Sequence, residues 1–192
     1  MNARALASVV VVLLVAGCGV QSIPQAGNAV DASWAEVQNQ YQRRADLVPN
    51  LVATVKGYAA HERETLEAVI AARASATQIK LDANDLNPEN LKKFEQAQGS
   101  LGSALSRLMV VSEKYPDLKA NENFRDLQVQ LEGTENRIAI ARRRYIESVQ
   151  GHNDLITVPP TSFTNSLFYH RKPKPQFTET TAGADKAPEV KF

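Results

Sequence analysis

The sequence predicts an all-α protein, an elongated antiparallel four-helix bundle with an extended to disordered, proline-rich C-terminal tail. Between residues 28 and 157, apolar residues recur at spacings of three and four, which is the period of a helix with one buried face. The same region is rich in Ala, Leu, Glu, Gln and Arg, all good helix formers. No stretch of it alternates apolar and polar residues as a half-buried strand would. Amphipathic helices joined by short loops bury their stripes against antiparallel neighbours.

The first helix is predicted to begin at Asn28, and its end has two interpretations. Pro49 removes a backbone N–H and crowds the preceding turn, which predicts a kink or a fresh start. Gly57 could instead end the helix before another begins near His61. We favour a kink at Pro49 with a turn around Gly57–His61 and four helices in all; three helices, the first very long and kinked, is the alternative. The stripe of this helix is Val30, Trp34, Val37, Tyr41 and Ala45.

The other helices follow from their stripes and their end signals. Asn87 as N-cap with Pro88 at the first helical position predicts the start of the third helix, and Pro116 stops it. The fourth helix is predicted to open near Asn121. The second stripe is Leu66, Val69, Ile70, Arg73 and Ala76. The third is Leu91, Phe94, Gln98, Leu101, Leu105 and Leu108, and the fourth is Phe124, Leu127, Leu131, Thr134, Ile138, Ala141 and Tyr145.

The composition changes after Ile156, where prolines and polar residues replace the helical pattern. Residues 157–177 are predicted to run extended along the bundle. We expect three apolar residues in this stretch, Phe163, Leu167 and Phe168, to dock on it. From Thr178 onward the composition predicts disorder.

The single cysteine, Cys18, ends the segment Leu14-Val15-Ala16-Gly17-Cys18, which is typical of a bacterial lipobox. The apolar run from Leu6 to Ala16 is too short for a spanning helix, which needs about 20 residues. It fits the hydrophobic region of a signal peptide with Arg4 at its positive end. We therefore predict cleavage before Cys18 and lipid attachment to it. A buried thiol, or a plain secretory signal with a chance cysteine, is the alternative.

These observations divide the chain into four parts. They are a lipoprotein signal peptide over residues 1–17, a lipidated N-terminus and linker over 18–27, the helical bundle over 28–157 and the tail over 158–192. Of 22 Lys and Arg residues only Arg4 lies in the signal, so the mature chain balances 21 basic against 21 acidic residues. That balance lacks the basic excess that nucleic-acid binding requires.

The sequence predicts no catalytic, cofactor-binding or metal-binding residues. His61-Glu62-Arg63-Glu64-Thr65 begins like a zinc-peptidase motif, but the second histidine is missing. His61 and His152 could meet across one end of the bundle, yet no third ligand accompanies them. The Glu-x-x-His pairs of di-iron bundles are also missing.

Three polar features have both a structural and a functional interpretation. The cluster of Arg137 with Arg142–Arg144 is read as a solvated helix face in which Glu147 pairs with Arg143 or Arg144, rather than as a dock for anionic lipid or an acidic partner. Arg43 and Arg44 are interpreted in the same way. Gln98 is expected to be a buried amide that fixes helix register, with ligand binding as the alternative.

Four blocks of sequence carry a resemblance to a known family. They are RRADLVPNLV at 43–52, VKGYAAHE at 55–62, QAQG at 96–99 with YPDLKAN at 115–121, and LEGTENRI at 131–138. In these blocks the chain resembles the LemA family of bacterial envelope proteins, from about residue 28 to Phe177. The resemblance implies a membrane-tethered antiparallel four-helix bundle without established enzymatic activity, related to proteins of membrane-associated assemblies that include magnetosomes. Many members use a spanning helix as the tether, and Cys18 departs from that pattern.

The expected function is that of a non-enzymatic, lipid-anchored adaptor or scaffold that docks unidentified envelope proteins. A self-assembling structural or membrane-organising protein is the alternative, and an enzyme with an unrecognised site is a third hypothesis. The expected partners are the membrane, through the lipid on Cys18, and other envelope proteins, with no nucleic acid. The sequence leaves a homo-oligomer open without predicting one. Gly19 stands where an aspartate would signal inner-membrane retention in a Gram-negative cell. The outer membrane is therefore favoured, with the body in the periplasm or extracytoplasmic space.

Overall fold

A computed structural model describes residues 20–83 and 85–177 of the chain, and its regular elements in these residues are all helical. The helices are α1 (Ser22–Tyr58), α2 (Arg63–Gln78), α3 (Pro88–Ser112), α4 (Pro116–Ala120), α5 (Glu122–Thr157) and α6 (Thr161–Thr164), and a π-helical turn follows at Asn165–Tyr169. The predicted all-α fold is confirmed, with α1, α2, α3 and α5 as its four long helices. Cys18 and the tail from Thr178 onward lie outside the described residues.

Two long antiparallel helices, α1 and α5, form the spine of the bundle. Three hydrogen-bonded side-chain pairs show their antiparallel register, because the partner's residue number falls as the number along α1 rises. The pairs are Ser33 with Ser148, Arg44 with Glu135, and Tyr58 with Asn121, the N-cap of α5. At 1.5 Å per residue, the 37 residues of α1 extend about 55 Å. The shorter helices α2 and α3 pack against each other and on this pair. Within the described part of the chain, no helix combines the length and apolar character needed to span a bilayer.

Helix α1 is longer at its start than predicted, and it is continuous through its proline. It begins at Ser22 rather than at Asn28, because Pro24 sits in the first turn, where a backbone N–H has no helical partner to lose. Residues 22–27, predicted to belong to a linker, are therefore helical. The helix passes through Pro49 and ends at Tyr58. The break between the first two long helices is thus near Gly57, and Pro49 does not start a new helix.

The predicted N-cap of the third long helix and the predicted start of the fourth are confirmed. The Asn87 side-chain oxygen accepts a hydrogen bond from the backbone N–H of Asn90 at 2.9 Å, with Pro88 at the first helical position. The Asn121 side-chain oxygen likewise accepts from the backbone N–H of Phe124 at 3.0 Å. Each cap satisfies an N–H that the helix itself leaves unpaired.

The core consists of two apolar clusters, one at each end of the bundle. Trp34 is central to the cluster near the N-terminal end of α1, with its ring centroid 5.3 Å from that of Phe94 and 5.4 Å from that of Tyr145. Its indole N–H donates to the carbonyl of Leu81 at 2.8 Å, which holds the loop between α2 and α3 against α1. The other cluster includes Val48, Leu51, Val55, Leu101, Leu105, Leu108, Leu118 and Phe124.

Candidate functional site

A layer of polar side chains separates the two apolar clusters at mid-bundle. Arg44 on α1 is only 4% exposed and Gln98 on α3 only 6%. One guanidinium nitrogen of Arg44, Nη2, donates to the side-chain and backbone oxygens of Gln98 at 2.8 and 2.9 Å. The other, Nη1, pairs with Glu135 on α5 at 3.0 Å. The Gln98 amide nitrogen donates to the carbonyl of Ala76 on α2, so the layer joins all four long helices.

The layer confirms one prediction and overturns another. Gln98 is a buried, hydrogen-bonded amide, as expected. Arg44, interpreted as part of a solvated face, is instead buried, while its neighbour Arg43 is exposed. The burial of Arg44 could have been predicted from its spacing. It follows Tyr41 by three residues and precedes Val48 by four, which places it on the buried stripe of α1.

A second polar contact replaces a backbone hydrogen bond that α1 loses at its proline. Pro49 has no N–H, so the carbonyl of Ala45 one turn earlier loses its usual helical donor. Arg73 on α2 supplies a replacement, since its Nε donates to that carbonyl at 2.8 Å. Arg73 and Pro49 also line a surface groove of about 370 Å³ between the two helices. Arg73 lies on the predicted stripe of its helix, but the sequence did not predict this hydrogen bond.

The chemistry available in these contacts is structural. In the polar layer, a permanent cation meets an amide and a carboxylate, with no nucleophile poised against a base. The cavity beside the layer, lined by Gln38, Tyr41 and Gln98 among others, measures about 80 Å³. It is far below the several hundred Å³ typical of small-molecule sites. Burial raises the pKa of the Tyr41 phenol, against the opposing effect of Arg142 and Arg44 nearby, so this hydroxyl stays protonated.

The structure overturns the suggested meeting of His61 and His152. His152 is buried near Gly27, at the N-terminal end of α1. His61 is exposed just beyond the opposite end of that helix. About 30 residues of helix separate the two ends, or roughly 45 Å. Across residues 20–83 and 85–177, no group of three His, Cys, Asp or Glu side chains is placed to hold a metal ion.

In the arginine cluster on α5, some side chains contact the rest of the protein and others are exposed to solvent. Arg142 pairs with Glu95 on α3 at 3.1 Å and lies over the ring of Phe177, 4.4 Å from its centroid, so for this residue the solvated-face interpretation is wrong. Arg137 contacts the hydroxyl of Thr134 on its own helix. Arg143 and Arg144 are exposed, as expected of a solvated face.

The C-terminal segment returns along the bundle and is tied to it by polar contacts. The backbone N–H of Lys174 donates to the side-chain oxygen of Asn153, whose amide nitrogen donates back to the carbonyl of Lys174. The Lys174 ammonium pairs with Asp31 on α1. The hydroxyl of Tyr145 donates to the carbonyl of Pro175 at 2.9 Å. Residues 171–177 thus run along the bundle without regular structure, as expected of the tail.

The apolar contacts of this segment differ from those predicted. Phe163, Leu167 and Phe168 do not dock on the bundle and are exposed. Residues 161–169 form helical turns rather than an extended strand, and these turns bury Thr164 and Asn165 instead. The aromatic residue that docks is Phe177, which lies against Tyr145 and Trp34. Its partners are distant in sequence, so no local pattern marked it.

The same end of the bundle holds the first described residue of the chain. The hydroxyl of Tyr169 in the π-helical turn donates to the carbonyl of Val20. Cys18, the predicted lipid-attachment residue, precedes Val20 by two positions and lies outside the described residues.

Comparison with known proteins gives a family match over most of the chain. A family model described as the LemA family matches residues 33–192. Magnetosome protein MamQ of Magnetospirillum gryphiswaldense is 32% identical over 84 residues, which cover 40% of this chain and 31% of the relative. Magnetosome proteins MamQ 1 and MamQ 2 of Paramagnetospirillum magneticum match with the same identity and coverage. The match thus spans less than a third of the length of these curated relatives.

Proposed function

The chain belongs to the LemA family, and from that membership we propose that it is a non-enzymatic adaptor of the bacterial cell envelope, anchored to a membrane by lipid on Cys18. The observation that carries the proposal is the position of Val20 at one end of a bundle about 55 Å long. An anchor two residues earlier would hold one end of a stiff helical rod at the bilayer. The rest of the rod would then be displayed to other envelope proteins.

The physics of lipid attachment supports permanent anchoring. Each buried acyl methylene contributes about 0.8 kcal/mol, so one chain binds marginally while two or more bind stably. A bacterial lipoprotein carries two or three chains. Such an anchor would compensate for the lack of a spanning helix among the described residues.

The buried polar groups bond to one another within the protein, which favours a docking role over a catalytic one. In the Arg44 layer, the two terminal guanidinium nitrogens, the Gln98 amide and the Glu135 carboxylate are engaged with one another or with backbone carbonyls across four helices. The relatives named as magnetosome proteins also favour a part in an assembled structure.

The anchor is tested by metabolic labelling with a palmitate analogue. The wild-type protein should take up the label and lose residues 1–17, and Cys18→Ala should do neither. Gln21→Ala changes an exposed residue beside the anchor and should leave labelling intact. Equal labelling of the wild type and Cys18→Ala would overturn lipid attachment at this residue.

The adaptor role is tested by photo-crosslinking in native membranes. A photoreactive amino acid is placed in turn at Ile70, Val110 and Val129, which are exposed on three different helices. An adaptor should capture the same envelope protein reproducibly from at least one position. Capture of no protein from any of them would contradict the role, and a product with the mass of two copies would instead favour the self-assembling alternative.

A further inference from the structure

Four large apolar side chains are exposed within eleven residues at the anchor end of the bundle. Val158 is 54% exposed, Phe163 68%, Leu167 69% and Phe168 62%. We call these four residues the anchor-end patch. Elsewhere in the described part of the chain, large exposed apolar residues occur singly along the helices. Isolated cases are ordinary on a protein surface, whereas a group of them marks a surface that binds a protein, a membrane or a ligand.

The local hydrogen bonds fix the patch in its outward orientation. The side-chain oxygen of Asn165 accepts from the backbone N–H of Arg171 at 2.9 Å, and its nitrogen donates to the carbonyl of Arg171 at 3.1 Å. These bonds turn Asn165 inward, beside the buried Thr164. Phe163 and Leu167, four residues apart in successive helical turns, share the outer face.

The segment that carries the patch is basic, although the exposed Asp154 lies one helical turn before Val158. Residues 158–177 contain three Lys and Arg residues and no Asp or Glu. Lys174 is neutralised by Asp31, while Arg171 and Lys172 are exposed. Apolar side chains flanked by free basic ones fit the boundary between acyl chains and anionic headgroups.

The patch is also close to the proposed anchor. Tyr169, next to Phe168, contacts the carbonyl of Val20. The two residues from Cys18 to Val20 span at most about 7 Å between their Cα atoms. A lipid on Cys18 would therefore bring the patch within reach of the bilayer surface.

We infer that the anchor-end patch inserts into the phospholipid bilayer that holds the N-terminus, with Arg171 and Lys172 on anionic headgroups. The inference rests on the proposed lipid at Cys18. It adds a second point of membrane contact, on the C-terminal side of the chain. Two contacts restrict the tilt of the rod, which a flexible lipid tether alone would leave free.

The test uses the full lipidated chain, reconstituted into vesicles of phosphatidylethanolamine and phosphatidylglycerol. An added cysteine at Leu167→Cys carries an environment-sensitive fluorophore, since the sulfur of a lipidated Cys18 does not react. Val110→Cys is the matched control, because Val110 is 67% exposed on α3 near the opposite end of the bundle. Vesicles with brominated acyl chains should quench the label at position 167 and leave that at 110 bright. Phe163→Ser with Phe168→Ser should reduce the quenching at position 167.

The outcomes separate this inference from the proposed function. Vesicle-bound protein whose label at position 167 is no more quenched than that at 110 would overturn the inference while leaving the anchor in place. A label at 167 that is shielded from aqueous iodide quenching but not quenched by brominated lipid would mean that protein covers the patch, which also overturns it. Protein that fails to stay with the vesicles would overturn the anchor, and the inference with it.

Discussion

Arg44 holds a permanent positive charge between two apolar clusters, a costly position for any ion. The cost is offset by the partners of its two terminal nitrogens and by the ring of Tyr41, whose centroid is 5.1 Å from the guanidinium carbon, while its Nε is buried without a partner. Replacing a buried ion pair by apolar groups is often neutral, so the layer is weak support for stability as such. Because the layer bonds four helices together, it instead fixes how they are aligned. Any shift of one helix along another would break bonds to this charge, which makes the layer a device for register.

Gln98→Leu should lower the free energy of unfolding by about 1–3 kcal/mol, because it removes a bond to a buried cation and leaves the carbonyl of Ala76 without its side-chain donor. Gln96→Leu makes the same chemical change at an exposed position two residues earlier and should alter stability by less than about 0.5 kcal/mol. Urea denaturation followed by circular dichroism measures both. Equal effects of the two substitutions would show that the buried amide contributes nothing specific.

His152 should make the protein less stable in mild acid. Burial lowers its pKa from the ordinary 6.5, assisted by Lys174 and Arg171 and opposed by Asn153 and Asp31. Below pH 6.5 the unfolded chain therefore binds a proton that the folded protein resists, and stability falls by up to about 1.4 kcal/mol per pH unit until the folded pKa is reached.

The histidine effect is measured by denaturation at about pH 7.5 and about pH 5.5, on either side of the unfolded pKa. The wild type should lose more stability between these values than His152→Gln, which cannot gain the charge. His61→Gln, at the exposed histidine, should behave as the wild type. An identical acid loss in His152→Gln would assign the effect to other groups.

At the scale of the elements, α1 shows how a helix can keep a proline in its interior. The usual cost combines a missing hydrogen bond with a clash, about 3 kcal/mol or more. Part of that cost is offset here by Arg73, which donates to the carbonyl that Pro49 leaves without a donor. The proline thereby gives α2 a specific point of attachment on α1.

A double-mutant cycle between these residues tests the coupling. Arg73→Met should lower the free energy of unfolding by about 1–2 kcal/mol in the wild-type background, where it leaves the Ala45 carbonyl unpaired. In the Pro49→Ala background the restored N–H can bond that carbonyl, so the same substitution should cost clearly less. Additive effects, with an interaction energy near zero, would show that the arginine does not compensate for the proline.

At the scale of the whole molecule, the sequence predicted the features that depend on neighbouring residues, namely the helices and their starts. The 3–4 stripes placed the long helices, and Asn87 and Asn121 marked two helix starts because a cap acts on N–H groups within the same turn. It did not predict contacts between residues far apart in the chain. Phe177 docks on Trp34, more than 140 positions earlier, and the pairing of Arg44 with Glu135 requires the fold to exist. Phe163 was wrongly predicted to dock on the bundle, because the apolar character of a residue does not by itself show whether it is buried or exposed.

The residue after Cys18 bears on which membrane holds the molecule. If Cys18 is the lipidated first residue, Gly19 occupies the position at which aspartate retains lipoproteins in the inner membrane of Gram-negative cells. In such a host the wild type should fractionate with the outer membrane on a sucrose gradient, and Gly19→Asp should move it to the inner membrane. Gly19→Ser, without the carboxylate, should stay with the wild type. The circular dichroism spectra of all three should agree. Inner-membrane fractionation of the wild type would refute the outer-membrane assignment while leaving the lipid anchor standing.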